Sequence, residues 1–264
     1  MKRRSFVKTT VLGTAAAAIL PQLSLGHTNP KTENRMYYEL RTYILKDANQ
    51  QSLVENYFEK AAIPALNKLG IKNVGVFTEI KPSGQSTLIA LIPYKSIADF
   101  ESVNSKLDQD KAYLTAGAAY LNAPATASAY ERIESSLLKA FTHMPGLELP
   151  AKGKRIFELR RYEHASEAAG VKKREMFNDA GEIDIFKRLG FKPVFFGETI
   201  IGDHRPNLFY MVTFDDMAAH DQHWKSFGGD PEWKKISAIP DYADAKLVSK
   251  ITATFLQPAA YSQI

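Results

Sequence analysis

The sequence predicts an α+β protein built from two copies of one strand–helix–strand–strand–helix–strand unit, behind a short export leader. Two observations carry the duplication. The hexapeptide Tyr38-Glu39-Leu40-Arg41-Thr42-Tyr43 returns as Phe157-Glu158-Leu159-Arg160-Arg161-Tyr162, an offset of 119 residues from Glu39 to Glu158 in a chain of 264. The residues after each copy match as well. At 120 residues Leu69-Gly70 meets Leu189-Gly190, Leu88 meets Leu208, Tyr94 meets Phe214 and Tyr113 meets Trp233; at 118 residues Ile133 meets Ile251 and Leu138 meets Leu256.

Residues 1–26 read as a leader. Lys2-Arg3-Arg4-Ser5-Phe6-Val7-Lys8 resembles the twin-arginine export motif. The apolar run from Thr9 to Leu20 is 12 residues long, short of the roughly 20 a membrane span needs, and Ser24-Leu25-Gly26 offers small residues for cleavage. A periplasmic or secreted location is expected, with membrane contact only during export. The chain has no Cys, which excludes disulfides, lipidation at Cys, and Cys ligands or nucleophiles. The leader holds four basic residues and no acidic one, so of 34 Lys and Arg, 30 remain against 29 Asp and Glu. That near-neutral balance removes the electrostatic footprint of a nucleic-acid binder.

Taken in order, His27 to Arg35 is a polar lead-in. Tyr37 to Leu45 is the first strand. From Asn49 to Leu69 the apolar residues Leu53, Tyr57, Ala61, Ala65 and Leu69 recur every four residues, which predicts a helix, kinked at Pro64 and stopped by Gly70. Asn73 to Ile80 and Thr87 to Pro93 form a hairpin around Lys81-Pro82-Ser83-Gly84. Helices come next at Ser96 to Val103 and Asp110 to Ala119, then a strand at Tyr130 to Leu138. Phe141 to Lys154 carries Pro145, Gly146, Pro150 and Gly153 and reads as a linker. The order then repeats: a helix from Glu167 to Leu189 broken near Gly181, strands at Val194 to Ile201 and Leu208 to Phe214, a helix from Asp215 to Ser226, another opening at Asp230-Pro231 with an N-cap and Pro at the first position, and a last strand from Val248 to Leu256.

Each copy therefore predicts a four-stranded antiparallel sheet with helices on one face, the ferredoxin-like arrangement. Two such sheets can pair their open faces into a closed barrel, which removes exposed edges. Alternation puts Glu39, Arg41 and Tyr43 on one face and Tyr38, Leu40 and Thr42 on the other, and likewise Glu158, Arg160 and Tyr162 against Phe157, Leu159 and Arg161. The expectation is that the Glu-Arg-Tyr faces look into the space between the sheets.

The Tyr-Glu-Leu-Arg-x-Tyr strand, the Leu-Gly after the first helix and Asp230-Pro231-Glu232-Trp233 resemble the NIPSNAP domain. The first copy keeps that last motif only partly, as Asp110-Lys111-Ala112-Tyr113. The resemblance divides the chain into a first domain over 36–140, a linker over 141–154 and a second domain over 155–257. It implies a dimeric α+β barrel fold, whose relatives include cofactor-free oxygenases, isomerases and haem proteins, and it brings no settled catalytic set.

The candidate ligand-binding residues are Glu39, Arg41, Tyr43, Glu158, Arg160 and Tyr162. An Arg beside a carboxylate and a phenol can hold an anionic or enol-like ligand or a developing oxyanion; the same Glu and Arg can equally pair on the sheet as a structural element. Asp216, His220 and His223 could present metal ligands on one helix face, or simply a solvated one. His164 is expected at a barrel rim and His204 in a turn. Trp224, Phe227, Trp233, Tyr113 and Tyr120 read as core packing. Gly181, Gly190 and Gly202 lack phosphate-loop spacing, and Ser83 and Ser86 read as turn residues, so no cofactor or metal is assigned. Three functions stay open: a small-organic-ligand protein using the inter-sheet cavity, with or without cofactor-free catalysis; a non-catalytic interaction protein whose barrel interior is a packed polar core; and a haem- or metal-binding protein using His220. Two copies close a barrel within one chain, and that chain can still pair as a homo-oligomer.

Overall fold

Both hexapeptides lie in central strands of one eight-stranded closed barrel. The computed structural model describes residues 34–82 and 84–264; the expected leader over 1–26 lies outside the described residues. The strands are β1 (Tyr37–Leu45), β2 (Gly75–Glu79), β3 (Ser86–Tyr94), β4 (Arg132–Ala140), β5 (Ile156–His164), β6 (Lys192–Ile201), β7 (Asn207–Phe214) and β8 (Val248–Pro258). Each copy contributes an antiparallel half-sheet, β4-β1-β3-β2 and β8-β5-β7-β6, and the seams β2–β8 and β4–β6 close the ring. The expected pairing of two ferredoxin-like sheets is thus what forms, and it leaves no open edge.

Helices cover the outside: α1 (Ala48–Tyr57), α2 (Ile63–Lys68), α3 (Ile97–Leu107), α4 (Lys111–Ala116), α5 (Ala118–Leu121), α6 (Glu167–Asn178), α7 (Glu182–Arg188), α8 (Met217–Gly229), α9 (Pro231–Ser237) and α10 (Asp244–Leu247). Asp47, Ser96, Asp110, Ser166, Asp216 and Asp230 each cap a helix through a side-chain oxygen. The kink expected at Pro64 takes the form of a π-helical turn, Phe58–Ala62, between α1 and α2. Proline has no N–H to return to the carbonyl four residues back, and widening the preceding turn relieves its ring clash. In the second copy Gly181, at φ +93°, separates α6 from α7. The short α10 and a 3₁₀ turn at Pro240–Tyr242 are additions to the expected elements. No helix among the described residues is long and apolar enough to cross a membrane.

The orientation of the strands corrects the sequence expectation. Tyr38, Leu40, Phe77, Leu91, Leu138, Phe157, Leu159, Phe195 and Met211 fill the barrel interior. Tyr43 and Leu45 pack instead with Val54, Phe58 and Leu66 under α1 and α2, and Tyr162 packs with Phe177, Phe186 and Tyr210 under α6 and α7. The Glu-Arg-Tyr faces therefore turn outward, toward the helices, and the interior is an apolar core in place of a packed polar one. Burying a Leu or Phe contributes about 1.5–3 kcal/mol, so the greasier face of each strand takes the barrel interior.

Candidate functional site

The outward clusters are built around two buried carboxylates. Glu39, 6% exposed, accepts from Arg41 Nε and Nη2 at 2.5 and 2.9 Å, from Tyr94 Oη at 3.1 Å and from Ser135 Oγ at 3.0 Å. Glu158, 1% exposed, accepts from Arg160 Nη1 at 2.6 Å and from Trp224 Nε1 at 3.0 Å, with His220 Nε2 at 3.4 Å. Arg160 also donates to Tyr162 Oη at 3.3 Å and lies 4.6 Å from the Trp224 ring centre. Burial pulls the Arg160 guanidinium down, but Tyr210, Tyr162 and Glu158 more than offset this and hold it above its ordinary range. Arg41 is likewise raised, by Glu39 against the opposing effect of burial. The hydrogen-bonding capacity of these six residues is spent largely within the protein. Beside Arg41, under Tyr57, Tyr94 and Tyr113, a void of about 30 Å³ remains, room for a water or two.

The larger opening lies on the opposite face of the same strands. At one barrel mouth a cavity of about 170 Å³ has an apolar floor of Leu40, Ile89, Leu159 and Phe209 and a polar wall of mixed charge, with Thr42, Arg161, Thr252 and His204 beside the carboxylates Glu79, Glu134 and Asp203. Arg161 Nη2 donates to Glu163 at 2.8 Å, while Arg161 Nε and Thr252 Oγ1 are shielded from solvent and have no hydrogen-bond partner. The two residues face each other across β5 and β8. His204, in the β6–β7 turn at φ +59°, stands with Nδ1 4.0 Å from Glu163 Oε2. Its place in a turn matches the sequence expectation. Arg161 escaped notice there because its first-copy counterpart is Thr42, so the repeat gave it no emphasis.

A third polar group is specific to the second copy. Lys173 on α6, 1% exposed, lies 3.2 Å from Asp244 Oδ1 and 3.8 Å from Glu182 Oε2, against the rings of Tyr162, Phe177 and Trp233. Burial pushes the Glu182 carboxyl up to about 7, past the opposing pull of Lys173. Burial lowers Lys173, but Glu182, Asp244 and Tyr162 leave it above its usual range. A carboxyl whose folded-state pKa is raised contributes stability at low pH that is lost as pH climbs from its unfolded value near 4.5 to about 7. The expected loss is about 3–4 kcal/mol over that window. Urea denaturation of native protein and Glu182→Gln between pH 4.5 and 8 checks this: the difference in stability between the two should shift in that direction, and a constant difference refutes it.

The histidines separate. His164, expected at a rim, is buried beneath α10 with Nδ1 3.0 Å from Leu247 O, and burial lowers its pKa. Asp216 caps α8 through Ala219 N, His220 contacts Asp221 and Glu158, and His223 stacks on Phe214. Among the described residues no group of three or more His, Asp or Glu is placed to hold a metal ion.

A duplicated α+β unit closed into one antiparallel barrel, with helices outside and a small cavity at one mouth, defines the class of this protein. The NIPSNAP family profile matches residues 38–145 and 157–263, and the chain belongs to the NIPSNAP family. No curated protein matches the sequence. Among solved structures it is similar to a putative monooxygenase from Fusobacterium nucleatum (TM-score 0.56, 11% identity, 85% of this chain and 92% of that one). It is similar also to a putative monooxygenase from Lactobacillus acidophilus (0.55, 9%, 85% and 94%) and to an anthrone oxidase-like protein (0.52, 11%, 86% and 92%). At such identities the likeness is one of fold.

Proposed function

We propose that this NIPSNAP protein binds a ring-sized organic ligand bearing a hydrogen-bond acceptor, in the cavity at the barrel mouth. The observation that carries the reading is an apolar-floored space of about 170 Å³ beside two buried polar atoms, Arg161 Nε and Thr252 Oγ1, that have no protein partner. A cavity near 150 Å³ accommodates benzene, so the space suits one substituted ring. A buried unsatisfied polar group costs about 1–3 kcal/mol, which a ligand carbonyl, phenolate or carboxylate would offset after a small turn of the arginine. Glu163 and His204 add proton acceptors near the opening, and Arg161 adds oxyanion binding, so the residues suit enol or phenol chemistry. Similar folds described as putative monooxygenases and as an anthrone oxidase-like protein accord with such a ligand class. The six outward residues Glu39, Arg41, Tyr43, Glu158, Arg160 and Tyr162 serve in this reading as the wall behind the strands. The basic run at Arg3-Arg4 supports export as the protein's route to an extracytoplasmic location, checked by fractionating cells that express native and Arg3→Lys/Arg4→Lys chains.

The test of binding is ligand-observed NMR with a panel of small phenols and benzoates. Native protein is expected to bind members of the panel, Arg161→Ala to lose about tenfold or more in affinity, and Leu159→Trp, which fills the floor, to lose binding while staying folded. Equal affinity in all three proteins would place binding elsewhere and end this reading.

A further inference from the structure

A second, separate opening lies at the other end of the barrel. There the linker and the segment after β8 cross the barrel end, and Leu147 and Ile264 pack against the interior core. Between these two segments runs an open crevice of about 690 Å³, lined by Leu149, Pro150, Lys152, Arg155, Phe157 and Ala260 among others. No Asp or Glu lines it. The main-chain oxygen of Ile264 is taken up locally by Ser262 Oγ at 3.3 Å.

Arg155 is the unusual residue. It is partly buried, its Nε and Nη1 are shielded from solvent, and neither has a hydrogen-bond partner. Arg41, Arg160 and Arg161, also partly buried, each pair with a carboxylate two residues away. Withdrawing a guanidinium from water without an anion is unfavourable, and its planar fork matches a carboxylate better than any other small group. The rest of the lining is mostly aliphatic or aromatic, so an occupant needs an apolar body as well as an acidic head.

We propose that this crevice is a binding site for an amphiphilic monocarboxylate of the medium-chain fatty-acid type, its carboxylate paired with Arg155 and assisted by Lys152, its chain laid along Leu149, Pro150 and Ala260. The site is independent of the barrel-mouth cavity, since no residue lines both.

Calorimetric titration of sodium octanoate into the full chain tests it, with octan-1-ol and inorganic phosphate as comparators. Native protein is expected to bind one octanoate saturably, Arg155→Met to bind at least tenfold more weakly, and Arg161→Ala to bind as native does. Octan-1-ol should bind at least tenfold more weakly than octanoate. Arg155→Met breaks no ion pair, so its thermal midpoint should match or exceed native, which separates loss of binding from loss of fold. The proposal is overturned if native protein binds no octanoate, if Arg155→Met binds it as tightly as native, or if phosphate binds as well as octanoate. Loss in Arg161→Ala with retention in Arg155→Met would assign octanoate to the barrel mouth and overturn it equally.

Discussion

Lys173→Met is expected to destabilise the protein by about 3 kcal/mol, while the double variant Lys173→Met/Glu182→Leu returns to within about 1 kcal/mol of native or exceeds it. The reason lies in a comparison of the two copies. Lys173 stands seven residues after the Ser166 cap, and the residue seven after the Asp47 cap is Val54, fully buried. Glu182 stands eight residues before Gly190, and eight before Gly70 is Ala62, also buried. One copy thus fills with apolar atoms the place the other fills with a buried ion pair. Removing the lysine alone leaves Glu182, 2% exposed, without its cation, and Glu182 Oε2 already lacks a hydrogen-bond partner. Replacing both removes the desolvation cost of both charges. Equilibrium urea unfolding of the single and double variants measures the coupling, and purely additive effects would contradict it.

Arg160→Met is expected to cost about 3–5 kcal/mol, and Arg161→Met, one residue along, less than about 1 kcal/mol. The period of the strand makes the difference. Arg160 points to the helices, where Glu158 is enclosed at 1% exposure and depends on Arg160 at 2.6 Å. Losing the guanidinium also removes its stacking on Trp224. Arg161 points into the barrel mouth and pairs with Glu163, whose side chain is 17% exposed and keeps access to water. Stability curves for the two variants decide the matter, and a native-like Arg160→Met would mean that Glu158 is adequately held by Trp224 and His220. Paired with the binding test on Arg161, this gives adjacent arginines with opposite phenotypes, one on folding and one on ligand.

Much of the architecture was legible because local signals were strong. The repeated hexapeptide marked β1 and β5, the four-residue apolar spacing marked α1 and α2, and the Asp230-Pro231 step marked the start of α9. Boundaries moved by a few residues where packing extends an element: α3 continues to Leu107 because Val103 and Leu107 are both buried in the core. The short α10 escaped notice because four residues are too few to show a period.

The candidate site was legible only in part. Alternation assigns Glu39, Arg41 and Tyr43 to one face and Leu40 and Thr42 to the other, but period two cannot say which face turns inward. That choice belongs to distant partners. Helix α8 brings Trp224 and His220 to Glu158, and β3 and β4 bring Tyr94 and Ser135 to Glu39, partners 55 to 96 residues apart in the chain. Once the polar face finds these partners, the apolar face is free to fill the barrel, and the residues at its open end, Thr42, Arg161 and Thr252, become the cavity wall.

Duplication, order of elements, antiparallel half-sheets and family follow from the residues alone, because each rests on local periodicity or on a repeat that survives in the chain. The strand faces that line the barrel, the ion pair each arginine finds and the donors left unpartnered are set by the closed fold. Those properties depend on atoms far apart in the chain, whose burial and hydrogen bonding exist only once the barrel has closed.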